Sequence, residues 1–118
     1  ENISRAAGAS HGQGMDAAGK LTWTGGDARY LYVLAADAKN PGVPPNLDEP
    51  VGTQWLVDVP TKSEPFASGV EYGAVSGELV QRLPISGAPA PLASGETYYL
   101  YVLKDVGVPI TRCLFVAP

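Results

Sequence analysis

The side chains best suited to hold a soft metal ion in this chain are His11, Met15 and Cys113. A blue-copper centre needs two histidines and a cysteine around one ion. The chain has one His and one Cys, so that donor set is incomplete. The His11-x-x-x-Met15 pair also lies in a Gly-rich stretch that would have to order around the ion. Cys113 opens the apolar run Cys113-Leu114-Phe115-Val116, and a lone Cys in such a run is more commonly a small buried hydrophobe. A single cysteine excludes an intrachain disulfide and any zinc cluster built on several thiolates. Arg112 is its only basic neighbour, and adjacent residues of a strand point to opposite faces. Cys113 is therefore expected to be buried and unreactive.

Nucleophilic catalysis needs a base beside the nucleophile. The sole histidine, His11, lies among small residues near the start of the chain, which leaves a Ser or Cys triad without a positioned base. Asp48-Glu49, with Asp37, Asn40 and Asn46 nearby, supplies oxygens of the kind calcium takes, but no EF-hand spacing exists. Acidic surface loops have the same composition. The residues point to a non-enzyme with no cofactor.

The elements that must carry these residues are short. A chain of 118 residues is one domain on size grounds. Hydrophobic residues make up 45% and charged residues only 17%, which suits a folded core. The 14 glycines and 11 prolines break helices and punctuate tight turns. Net charge is −4 and the lysines and arginines are scattered singly, so a nucleic-acid backbone has little to grip. No apolar run reaches the length of a membrane-spanning helix.

Residues 1–19 are dominated by small side chains. Such a segment buries too little surface to offset its ordering entropy, and it reads as a flexible linker before a domain over residues 20–118. Strands are predicted at 20–24, 28–36, 53–59, 70–75, 78–83, 97–104 and 109–116. Residues 40–50 form a proline-rich loop. About seven alternating strands separated by turns make a two-sheet antiparallel sandwich. Trp23 and Trp55 are expected in its core.

Two stretches carry a resemblance. Leu21-Thr22-Trp23 is followed after a turn by Tyr30 and Tyr32, and Leu92-Ala93-Ser94-Gly95-Glu96-Thr97-Tyr98 leads into a late strand. Together they resemble fibronectin type III-like and immunoglobulin-like domains, over residues 20–117. The resemblance implies that Trp23 and Tyr98 are buried. It also implies that Tyr98 forms a tyrosine corner, its hydroxyl bonded to upstream backbone between Leu92 and Gly95. Ser94 stands where that family has Pro, and the 40–50 loop and the Trp55 strand lie outside the pattern. The chain has no Arg-Gly-Asp sequence, so integrin adhesion is not implied. The family is a scaffold and brings no active site with it.

Tyr30-Leu31-Tyr32-Val33-Leu34 recurs identically as Tyr99-Leu100-Tyr101-Val102-Leu103. If Tyr98 points inward, alternation turns Leu100 and Val102 inward as well and leaves Tyr99 and Tyr101 outside. By analogy Tyr30 and Tyr32 face out, placing four tyrosines on the outer face of one sheet. An exposed cluster of this kind would suit a protein or carbohydrate partner. Tyrosines also pair across strands with no ligand, and a loop such as 40–50 would serve to cover them. The opposite register in the first copy would bury Tyr30 and Tyr32.

The expectation is a non-catalytic binding, adhesion or structural module of an exported bacterial protein. It would be periplasmic, cell-surface or secreted, with lipid anchoring before processing as one route. A start at Glu1 fits removal of an export signal. The alternative is a small periplasmic metal-binding protein of copper type, using His11, Met15 or Cys113.

Overall fold

A computed structural model of the chain describes residues 13–37, 52–60, 62–75, 77–105 and 108–118. Those residues form eight strands: β1 (Gly14–Met15), β2 (Lys20–Thr22), β3 (Tyr30–Ala35), β4 (Thr53–Asp58), β5 (Val70–Glu71), β6 (Val80–Leu83), β7 (Thr97–Asp105) and β8 (Val108–Val116). They build two sheets, β1-β2-β5 and β6-β4-β3-β7-β8. Every strand pairing is antiparallel. The all-β two-sheet sandwich predicted from the turn spacing is therefore the fold.

The main core fills the space between the sheets. Leu21 and Trp23 reach it from one sheet's side; Leu31, Val33, Trp55, Val57, Leu100, Val102, Cys113 and Phe115 reach it from the other. These are alternate positions of each strand, as the two-residue period demands. Trp23 and Trp55 are both buried. Trp23 meets the edge of Phe66 at a centroid distance of 5.9 Å, and Trp55 meets Tyr72 at 5.3 Å. Each indole N–H finds an acceptor, Gly26 O at 2.8 Å for Trp23 and Gln81 Oε1 at 2.9 Å for Trp55. Gly26 sits at a φ of 113°, a left-handed conformation that side-chain-bearing residues rarely adopt. The turn from β2 towards β3 thus also supplies the acceptor for the tryptophan.

The tyrosine corner is present. The Ala93 N–H donates to the Tyr98 hydroxyl at 2.8 Å. Tyr98 is half-buried, packs on the main core, and lies 6.0 Å from Phe115.

The linker reading of residues 1–19 does not extend to residues 13–19. Gly14 and Met15 pair with Thr22 and Leu21 as β1, and Met15 is buried in the main core. The Asp16 carboxylate accepts from the Ala18 and Lys20 N–H groups, both at 2.9 Å, which closes the turn into β2. One apolar side chain and one Asp turn suffice to recruit a segment whose composition alone argues against order. Residues 1–12 lie outside the described residues, as does the 40–50 loop.

Candidate functional site

The five-stranded sheet orients the tyrosines as alternation predicts. β3 and β7 pair so that Tyr32 faces Tyr101, Tyr30 faces Leu103 and Tyr99 faces Leu34. The two pentapeptides run antiparallel and centre on the same residue, so each tyrosine at a repeat end meets the other copy's leucine. Tyr30, Tyr32, Leu34, Tyr99, Tyr101 and Leu103 form one cluster on the face away from the main core, with Leu56 and Leu114 packed beside it. The Tyr32 and Tyr101 rings lie 5.8 Å apart, and Tyr99 and Tyr101 6.0 Å apart.

Their exposure differs from what a binding face requires. Within the single chain Tyr30 is 9% exposed, Tyr32 2%, Tyr99 1% and Tyr101 7%. The outward face of this sheet is thus a second buried layer. Leaving such an aromatic area in water would cost about 25 cal/mol per Å². Burial pushes the Tyr32 hydroxyl up to about 12, with Tyr101 and Asp58 adding to the effect. Burial likewise raises Tyr101, which the Arg112 charge partly offsets.

An ion pair flanks this layer. Asp58 is buried opposite Tyr30, and Arg82 Nε reaches its two carboxylate oxygens at 3.0 and 3.2 Å. The Asp58 hydrogen bond and charge raise Arg82 above its usual value. Arg82 itself is half exposed, so the pair ties the edge strand β6 to its neighbour β4.

The soft-ligand residues are placed as follows. Met15 and Cys113 are both buried within the main core, and His11 lies outside the described residues. Burial pushes the Cys113 thiol up to about 11, away from the thiolate that binds metal or attacks a substrate. Among the described residues no three His, Cys, Asp or Glu side chains come together as a metal site. Of the acidic and amide residues considered for calcium, Asp37 is described, while Asn40, Asn46, Asp48 and Glu49 lie outside the described residues.

The surface feature that composition did not single out is a cleft of about 540 Å³. Its position follows from the topology. β1 lies against β8, and the Thr111 hydroxyl donates to Gln13 Oε1 across that side at 2.8 Å. The opposite ends of the two sheets are β5 and β6. The cleft is lined there by Lys20 of β2, Val70 and Glu71 of β5, Glu78 and Leu79 leading into β6, and residues 64–67. Phe66, Val70 and Leu79 form its apolar part and pack on the main core. Glu64, Glu71 and Glu78 are exposed around it, and Ser63 Oγ donates to Glu78 Oε1 at 2.9 Å. No periodic signal joins these residues in sequence; only the meeting of the two sheet ends does.

The fold and this surface define the class as a compactly packed all-β sandwich with an acidic flank cleft. No family model matches the chain, and neither curated proteins nor solved structures give a significant match to it.

Proposed function

We propose that this chain is a non-catalytic binding, adhesion or structural module, fibronectin type III-like in kind, belonging to an extracytoplasmic bacterial protein. The observation that carries the reading is the two-sided packing of the five-stranded sheet, with one core between the sheets and a tyrosine layer outside them. Packing of that kind makes a stiff carrier and leaves its flank and loops to meet a partner. The corner bond from Ala93 to Tyr98 and the buried Trp23 support the fibronectin-like affiliation. The polar groups of the flank cleft supply carboxylates and one ammonium, and the one hydroxyl bonded to them, Ser63 on Glu78, has no histidine beside it among the described residues.

The test is to immobilise the chain and challenge it with a glycan array and with surface proteins of the source cell. Saturable, reversible capture with the ligand recovered unchanged is the expected result. Recovery of a cleaved or otherwise converted ligand would overturn the non-catalytic reading.

A further inference from the structure

We propose that the flank cleft is a docking site for a short extended peptide segment of a partner protein, one that sets a lysine or arginine beside an apolar residue. This rests on the binding-module reading and names the partner's chemistry. The apolar part of the cleft is the rim of the main core: Phe66 stands edge-on to buried Trp23, and Val70 and Leu79 pack on the same cluster. An apolar side chain seated there adds to contacts that already exist. Around it stand three exposed carboxylates, Glu64, Glu71 and Glu78, against one ammonium, Lys20. Three minus one leaves two net negative charges to be matched, which selects a cationic segment and repels phosphate. At about 540 Å³ the cleft holds a few side chains rather than a globular face.

The backbone supports the same occupant. β5 is the terminal strand of its sheet and its Val70 and Glu71 line the cleft; a terminal strand is where an extended segment adds by main-chain hydrogen bonds. A competing explanation of the carboxylates is that they only keep two strand edges solvated and monomeric. The two differ in outcome, because solvated edges bind nothing saturably.

The experiment is an amide NMR titration of the whole chain with three acetylated, amidated pentapeptides. These are Lys-Leu-Lys-Val-Lys, its acidic counterpart Glu-Leu-Glu-Val-Glu, and the apolar-free Lys-Ser-Lys-Ser-Lys. The first should give saturable shifts confined to Phe66, Val70, Glu71, Leu79 and their neighbours. The other two should give none that saturate. Replacing Glu64→Gln, Glu71→Gln and Glu78→Gln together should weaken the first peptide on the order of tenfold, the sum expected of three surface ion pairs. All three positions are exposed, and unchanged spectra elsewhere will show that the variant is folded. A Leu79→Ser variant tests the apolar contact separately. The proposal is overturned if the first peptide fails to saturate at millimolar concentration. It is also overturned if its shifts map elsewhere or if the triple variant binds it equally well. A natural ligand captured by the chain but footprinting away from the cleft would sink this inference and leave the module reading standing. Conversion of a captured ligand would sink the module reading alone.

Discussion

Gln81 makes three hydrogen bonds with one side chain. Its Oε1 accepts from the Trp55 indole, and its Nε2 donates to Pro84 O at 2.9 Å and Gly87 O at 2.8 Å. Trp55 is fully buried, so its N–H depends on that acceptor, and the 84–87 turn depends on the donors. Gln81→Leu should lower stability by roughly 1–3 kcal/mol, the usual cost of stranding a buried polar group, as read by urea denaturation. Cys113 offers a second measurement at this scale. Its ordinary value of 9.0 is raised to about 11 by burial, so the native protein holds little thiolate at neutral pH. Thiol reagents should label it slowly in the native state and rapidly in denaturant. Rapid native labelling would mean that the last strand opens readily.

At the scale of elements, β3 and β7 act as one unit through their repeated pentapeptides. Leu31, Val33, Leu100 and Val102 supply the main core while Tyr30, Tyr32, Tyr99 and Tyr101 supply the outer layer. A strand buried on both faces has no neutral position. Tyr32→Ala and Tyr101→Ala should therefore each cost roughly 3–5 kcal/mol, as large-to-small core changes do. Because their rings are in contact, the double variant should depart from additivity by about 0.5–1.5 kcal/mol. Thermal or chemical melts of the four proteins check this. Near-zero cost for either single change would return the tyrosines to the surface. The corner at the start of β7 is a smaller lever. Tyr98→Phe keeps the ring and loses the acceptor for Ala93, and it should cost about 1 kcal/mol.

The whole molecule should feel its buried phenols as a pH limit. Tyr32 and Tyr72 are pushed up to about 12 by burial, and Tyr30 and Tyr101 are raised as well. Their ordinary value is 10.0. Between about 10 and 12 the unfolded chain releases protons that the native chain retains, so stability falls as pH rises through that window. Below it the contribution of these groups is fully present. Denaturation midpoints should be flat towards neutral pH from this source and then drop steeply, with tyrosinate absorbance appearing together with loss of structure. Ionisation of all six tyrosines at their ordinary value in a still-folded protein would contradict the buried layer.

Alternation of apolar and polar residues placed seven of the eight described strands, and the face each residue takes was legible because a strand has a fixed period of two. The corner at Tyr98 was legible only through the fibronectin-like resemblance of the Leu92-to-Tyr98 stretch, and the bond from Ala93 to the Tyr98 hydroxyl is there. β1 was not legible. Its two residues are held by pairing with β2 and by the burial of Met15, and neither shows in local composition. The same limit applies to the tyrosines: periodicity says which side of a sheet a ring leaves from, while burial depends on what the rest of the chain brings to that side. Asp58 and Arg82 are 24 residues apart and meet only because β4 and β6 pair. Lys20, Glu64, Glu71 and Glu78 acquire a common cleft only where the ends of the two sheets meet. Local pattern determined strands and faces, because those depend on neighbours in sequence. Burial, ion pairing and the cleft depend on distances between segments, and those the tertiary structure alone decided.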